Sequence, residues 1–282
     1  MRRAKMNNPD KNKCIIVYSR HWSETFTIQG MYTLISPDTR VITCFSPDRL
    51  VESLSVYSTA PVILGILPHE SIFLLSRLSP YLQQRHILLF GEEFNFVDRM
   101  APFYFFKGDI TFHAWKDKTI MKTRTILYDF LINKPLNRVP IQHIPVQPAI
   151  PDKDELIYHV NIYLCQMFLH HGVGENAGKV LLMLAYGFST KEIARELGIC
   201  TKTVSVYKYN GLALLGMETG SFNIYRGIIV RPVLQKYNYG EKSVKTGCSY
   251  NEKEINKSVI FHKEIKPITF PLSSNIAEND KI

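Results

Sequence analysis

The chain has 282 residues, of which 45% are hydrophobic and 21% charged, and this composition excludes a disordered or fibrous protein. It carries 34 Lys and Arg against 25 Asp and Glu, and the formal net charge of +9 favours polyanionic partners. The five cysteines are widely spaced without a C-x-x-C pair, which argues against a disulfide framework or a zinc site. The basic start lacks the apolar core of a signal peptide, and no apolar run can span a bilayer. We therefore expect a cytoplasmic protein without a membrane partner.

Short apolar runs alternate with helical patterns from residue 14 to residue 132. The predicted strands are "CIIVYS", "RVITCFS", "APVILGILP", "RHILLFG" and "FYFF", the last of which ends before Lys107. The predicted helices are His21 to Ile35, Pro47 to about Tyr57, "ESIFLLSRLSPYLQQ", "EEFNFVDRM" and "KDKTIMKTRTILYDFLI". In the last helix the residues expected roughly to share a face are Ile120, Ile126, Leu127, Phe130 and Leu131. Apolar strands that alternate with helices predict an α/β domain whose parallel sheet is covered on both sides.

A proline-rich stretch follows this domain. Five prolines lie within residues 133–151, and because proline disfavours helix in the residue before it, we predict a semi-extended linker. The chain is thereby divided into a basic N-terminal segment (1–13), the α/β domain (14–132), the linker, an all-α domain (152–234) and a polar, lysine-rich, weakly structured tail (235–282).

The stretch "STKEIARELGICTKTVSVYKYN", residues 189–210, predicts two helices joined by a three-residue turn. Ser189 and Glu192 have the spacing of a capping box, and Gly198 can end the first helix in the left-handed conformation. On the second helix one face can be buried, and it consists of Val204, Tyr207, Leu212 and Leu215. The pair has the form of a helix-turn-helix unit, although a solvated basic helix pair has the same periodicity.

The opposite face of the second helix carries groups that can read base edges. Lys202, Ser205, Val206 and Tyr209 provide a cation, a hydroxyl, a methyl-bearing side chain and an aromatic hydroxyl. Lys191, Lys202 and Lys208 lie where phosphates would flank such a helix.

The segment "VLLMLAYGFSTKEIARELGICTKTVSVYKYNGLALLG" resembles the DNA-binding domain of LuxR/NarL-type (FixJ-like) transcription regulators. The shared positions are Val180-Leu181, Ala185, Gly187, Ser189, Lys191-Glu192-Ile193-Ala194, Leu197, Gly198-Ile199, Thr203-Val204 and Leu215-Gly216. The resemblance implies that the second helix is the recognition helix and that "ETGSFNIYRGIIV" mediates dimerisation. The candidate DNA-binding residues are Lys191, Lys202, Thr203, Ser205, Val206, Lys208 and Tyr209.

Four residues depart from this family pattern in the recognition helix and at its start. Cys200 replaces a capping serine, Tyr207 replaces a histidine, Gly211 replaces a large aliphatic residue, and Leu214 replaces a lysine that commonly faces the DNA backbone. Interior glycine costs about 1 kcal/mol relative to alanine. We therefore expect a recognition helix that is soft at its C-terminal end and binds phosphate weakly.

The five α/β units resemble the receiver domain of response regulators, in a degenerate form. Phosphoryl transfer in that domain needs acids after strand one, an aspartate at the end of strand three, a hydroxyl after strand four and a lysine after strand five. The corresponding stretches here are Ser19-Arg20-His21, Gly65-Ile66-Leu67-Pro68 and Gly91-Glu92-Glu93, and only Lys107 falls at a matching position. We expect a pseudo-receiver with neither metal nor cofactor, similar to auxiliary regulators of the RcsA and BglJ kind.

The sequence thus predicts a sequence-specific transcription regulator that binds double-stranded DNA as a dimer, independently of phosphorylation and without enzymatic activity. The alternative is an auxiliary module that heterodimerises with another response regulator and binds DNA weakly by itself. Gly211, Leu214 and the altered first helix, where Gly174-Glu175-Asn176-Ala177 replaces the family's Thr-Pro-x-Glu opening, favour this alternative.

Overall fold

The computed structural model describes residues 14–83, 85–132 and 152–236. The predicted N-terminal segment, the linker 133–151 and the tail from residue 237 onward lie outside the described residues, so these three assignments stay predictions.

Five parallel strands form one sheet in the order β2-β1-β3-β4-β5. They are β1 (Cys14–Ser19), β2 (Arg40–Cys44), β3 (Val62–Gly65), β4 (Ile87–Gly91) and β5 (Ile110–Ala114). One row of aliphatic side chains crosses the sheet in register, through Ile42, Ile16, Val62, Ile87 and Ile110. This strand order is that of flavodoxin-like doubly wound folds, which include receiver domains. The predicted α/β class is confirmed.

Helices cover both faces of this sheet. They are α1 (Trp22–Ile35), α2 (Pro47–Val56), α3 (Ile72–Leu82), α4 (Phe96–Phe105) and α5 (Ile120–Leu131). The core between the sheet and the pair α1/α5 contains Tyr32, whose hydroxyl donates a hydrogen bond of 3.0 Å to the carbonyl of Leu127. Burial raises the pKa of Tyr32 well above its usual value, so this phenol stays a donor.

The predicted strand "FYFF" is wrong, because its first three residues form the last turn of α4 and Phe106 is the C-cap of that helix. The helix begins where the Asp98 carboxylate accepts the backbone N–H of Asn95 at 3.1 Å, which is one half of a capping box. The aromatic run then continues the helix to Phe105. The fifth strand lies further along, at Ile110–Ala114, and it is only partly buried because it is the edge of the sheet.

This shift corrects two further predictions. Lys107 precedes β5, so the lysine that follows the fifth strand is Lys116 and not Lys107. Ile120 does not share the buried face of α5 with Leu127 and Phe130, since its side chain is 74% exposed at the first turn of the helix.

Five helices and a 3₁₀ turn form the second part of the chain. The helices are α6 (Lys153–His170), α7 (Glu175–Ala185), α8 (Thr190–Leu197), α9 (Thr201–Leu214) and α10 (Ser221–Gly227), and the turn is Pro232–Leu234. Among the described residues, no helix combines the length and apolarity that a membrane span requires.

The helical part packs directly on the α/β part. Phe96 of α4 lies 5.2 Å from Phe168 of α6, measured between ring centroids, and Tyr104 lies 5.6 Å from Tyr163. After the 3₁₀ turn, the side chain of Gln235 donates to the carbonyl of His69 at 2.8 Å and accepts from the N–H of Ile72 at 2.9 Å. The two parts therefore belong to one compact unit.

Candidate nucleic-acid interface

The first helix of the predicted pair is α8, and its ends are those expected from the sequence. Ser189 N–H donates to the Glu192 carboxylate at 2.7 Å, and the Ser189 hydroxyl accepts from Glu192 N–H at 3.3 Å, so the capping box is confirmed. The hydrogen bonds from Ser189 lower the pKa of Glu192. The helix ends at Gly198, whose φ of 65° lies in the left-handed region that glycine tolerates.

The turn between α8 and α9 is anchored in a small apolar core. Val180 of α7, Ile193 and Ala194 of α8, and Val204 of α9 form this core, and Ile199 packs against it from the turn. Because three helices meet there, the orientation of α9 relative to α8 is fixed by buried side chains.

Cys200 lies at the start of α9, in the place of the serine of the family pattern. Its sulfur is 3.1 Å from the hydroxyl of Thr203. The Thr203 hydroxyl and the backbone N–H groups of the first turn lower the pKa of Cys200. Thr203 was predicted to contact DNA, but its hydroxyl is engaged with this sulfur and its side chain is half-buried.

The outward face of α9 contains three of the predicted residues in one row. Lys202 is exposed, Val206 is 48% exposed and Tyr209 is 55% exposed, at positions i, i+4 and i+7. The ammonium of Lys208 lies 5.7 Å from the ring centroid of Tyr209, so this cation is held against the aromatic member of the row. Lys191 is exposed at the start of α8.

Ser205, which was predicted to lie on the same face, is less exposed than the residues of this row. It is half-buried, and its hydroxyl donates to the carbonyl of Thr201 at 3.2 Å. A hydroxyl that bonds back to its own helix is less available to a base edge.

Asn210 is a candidate that the sequence reading missed. Its side chain is exposed four residues after Val206 and eight after Lys202, so it extends the same row. An amide side chain in a major groove can pair in bidentate fashion with adenine. Its position four residues after Val206 could have predicted that it lies on the same face of α9.

The last turn of α9 is closely packed against α7. A Cβ atom at Gly211 would lie 2.8 Å from Leu181 Cδ1, so the glycine lets the two helices approach. Leu214, where the family carries a lysine, is 50% exposed.

At the carboxyl edge of the sheet, the receiver-type phosphoryl site is filled by other side chains. The Ser19 hydroxyl donates to Glu24 at 2.6 Å, and a Cβ at Gly65 would lie 2.7 Å from Ser19 Cβ and 2.8 Å from Glu24 Oε2. A side chain at the position that holds the acceptor aspartate in receivers would therefore overlap Ser19 and Glu24 and would have to displace them. Across residues 14–83, 85–132 and 152–236, no group of three His, Cys, Asp or Glu residues could hold a metal ion.

Residues 178–218, which extend from α7 to just beyond α9, match the family described as "Bacterial regulatory proteins, luxR family". The helical part of this chain contains a LuxR-family domain. The matched residues include the whole exposed row on α9, and the match identifies a DNA-binding domain of the kind found in bacterial transcription regulators. No curated protein matches the chain.

The solved structures that are similar to this chain include RcsB and FixJ response regulators. A structure of two RcsB dimers bound to two parallel DNAs is 19% identical, covers 76% of this chain and 96% of its own, and has a TM-score of 0.49. RcsB from Salmonella enterica serovar Typhimurium bound to promoter rprA is 18% identical over 77% of this chain and 98% of its own, with a TM-score of 0.47. Full-length FixJ from B. japonicum is 16% identical, covers 76% of this chain and 94% of its own, and has a TM-score of 0.34.

Proposed function

We propose that this protein is a sequence-specific, cytoplasmic regulator that inserts α9 into the major groove of double-stranded DNA. The observation that carries the proposal is the exposed row of Lys202, Val206, Tyr209 and Asn210 on a helix whose opposite side is fixed in a core. This is the placement of a recognition helix in helix-turn-helix proteins.

In this proposal the side chains of α9 divide into two groups. Val206, Tyr209 and Asn210 contact base edges, where the valine methyl groups suit a thymine methyl and the amide suits adenine. Lys191, Lys202 and Lys208 contact phosphates and fix the register of the helix. Thr203 and Ser205 support the helix through Cys200 and Thr201 and contribute less to reading.

We further propose that the protein acts by binding rather than by catalysis and is independent of phosphorylation. The absence of space at Gly65 supports this, because an acceptor side chain at that position would overlap Ser19 and Glu24. Regulation would then follow from the amount of protein or from a partner.

A dimer is the proposed DNA-bound form, with α10 as the contacting element. Phe222 is 55% exposed on α10, with the guanidinium of Arg226 4.5 Å from its ring centroid, so this helix presents an exposed aromatic ring to a second copy or to another regulator. A two-fold binding motif is the expected consequence.

The test is selection from a random duplex pool with the purified full-length chain and with the Val206→Ala/Tyr209→Ala variant. We expect the wild-type chain to enrich a two-fold motif and the variant to lose it, since each good base contact contributes roughly 1–3 kcal/mol of discrimination. The matched control is Val56→Ala/Tyr128→Ala, which removes the same side chains from exposed positions on α2 and α5.

Two outcomes would contradict the proposal. If the α9 variant keeps the motif, the reading surface lies elsewhere. If the folded wild-type chain enriches nothing, the heterodimeric auxiliary module becomes the better account, and the selection is repeated with a complete response regulator added.

A further inference from the structure

A backbone hydrogen-bond motif ends α9 and leaves the two carbonyl groups just after the helix without a backbone donor. Gly216 has a φ of +57°, its N–H bonds to the carbonyl of Ala213 at 3.0 Å, and the N–H of Met217 bonds to the carbonyl of Leu212 at 2.9 Å. This pattern is a Schellman motif. The carbonyls of Leu215 and Gly216 receive no backbone donor from it, and α9 has no basic residue in its last turn.

Arg99 of α4 supplies the missing donors from the first domain. Its Nη2 donates to the carbonyls of Leu215 and Gly216, the second at 3.3 Å, while its Nη1 donates to the carbonyl of Phe94 at 2.7 Å. A cation at a helix C-terminus is favourable because the helix dipole is negative there. Burial lowers the pKa of Arg99, but a guanidinium stays charged in proteins.

A second contact joins the same region of the first domain to α10. Glu93, in the loop before α4, accepts from Arg226 at 2.5 Å and from Lys116 at 2.9 Å. A Cβ at Gly227 would lie 2.8 Å from Asn95 Cβ, so α10 is in close contact with the start of α4. Residues 93–99 therefore contact both the end of α9 and the helix that follows it.

We propose that Arg99 is a positioning residue for DNA recognition, and this rests on the proposed function of α9. By bonding the carbonyls of Leu215 and Gly216, immediately after the last residue of α9, Arg99 holds the C-terminal end and the direction of the recognition helix. The α/β domain then contributes to DNA recognition, because it provides a cation at the C-terminal end of α9, and α9 has no basic residue in its own last turn.

The experiment compares Arg99→Ala with Arg49→Ala in the full-length chain. Arg49 is an exposed arginine of α2 that forms a surface ion pair with Glu52, so both variants lose one positive charge from the first domain. We expect Arg99→Ala to bind the selected duplex about tenfold more weakly than Arg49→Ala, since hydrogen bonds to charged groups are among the stronger ones. The salt dependence of binding should keep the slope of the wild-type protein, because no phosphate contact is removed.

Hydrogen exchange of the free protein gives an independent readout. In Arg99→Ala the amides of residues 215–217 should exchange faster, while the amides of α8 keep their protection, because only the last turn of α9 loses its cap.

The other possible results distinguish a failure of the Arg99 proposal from a failure of the proposed function of α9. Equal affinity of the two variants would overturn the proposal, and so would a salt slope lowered by about one, which would make Arg99 a phosphate contact. Faster exchange throughout the helical part would reduce Arg99 to a general structural contact. If the wild-type chain binds no duplex, the proposed function of α9 fails, while the exchange result, which needs no DNA, still decides whether Arg99 caps the helix.

Discussion

Gly65 ends β3 at the position where receiver domains carry the phosphate acceptor, and its surroundings make a testable prediction at the scale of single residues. We predict that Gly65→Asp does not create an acceptor. The new Cβ would lie within 3 Å of Ser19 Cβ and Glu24 Oε2, and overpacking of this kind lowers the free energy of unfolding by roughly 1–3 kcal/mol. Chemical denaturation and the binding of beryllofluoride, a phosphoryl mimic, measure the two effects.

The control for this substitution is Gly30→Asp in α1. A Cβ at Gly30 has no neighbour within 4 Å, so the same change of residue should leave stability nearly unaltered. Stable folding of Gly65→Asp together with beryllofluoride binding would show that the site is open, and phosphorylation-independence would have to be abandoned.

The candidate site shows which residue-scale features can be derived from a sequence. The row Lys202, Val206 and Tyr209 follows from helical periodicity, because exposure repeats every three or four residues. The engagement of the Ser205 hydroxyl with Thr201 could not be predicted, since a hydroxyl on a helix has both a backbone and an external partner to choose from. Arg99 could not be identified either, because its partners are 116 and 117 residues away.

At the scale of elements, the close contact between α7 and α9 explains why glycine occupies position 211. The sequence alone did not suggest this explanation. Alanine would favour the helix by about 1 kcal/mol, but its Cβ would lie 2.8 Å from Cδ1 of the fully buried Leu181. We predict that Gly211→Ala lowers the free energy of unfolding by about 1–2 kcal/mol, because the overlap outweighs the gain in propensity.

A double-mutant cycle with Leu181→Ala separates these two effects. Once Leu181 is truncated the overlap disappears, and Gly211→Ala should then stabilise the chain by about 1 kcal/mol. If Gly211→Ala stabilises the wild-type chain to the same extent, the two helices have room for a Cβ at this contact. Glycine then only lowers the helix propensity of α9.

The elements themselves were predictable where local chemistry fixes their ends. The start of α8 at Ser189 and its end at Gly198 follow from a capping box and a left-handed glycine. The start of α4 lies within the predicted helix "EEFNFVDRM", but the sequence assigns the aromatic run that continues it to a strand, because aromatic residues are typical of strands.

At the scale of the whole molecule, the proline-rich linker predicted two domains, and the structure packs their described parts together. Periodicity reports which face of an element is buried but not which partner covers it. The sequence therefore predicts that residues 152–234 are helical, but it does not predict the contact of α6 with α4 through Phe96 and Phe168.

This interface leads to a prediction about cooperative unfolding. Phe96 is fully buried, with Phe168 at 5.2 Å and His171 at 5.5 Å, and truncation of such a ring to alanine costs roughly 3–5 kcal/mol. Because this loss falls on the contact between the α/β and helical parts, calorimetry should show one transition for the wild-type chain and two for Phe96→Ala. Phe26→Ala removes a 53% exposed phenylalanine of α1 and should keep one transition with little change in Tm. A single, merely lowered transition for Phe96→Ala would mean that the interface does not depend on this ring and that the two parts stay coupled through Arg99, Glu93 and Gln235 instead.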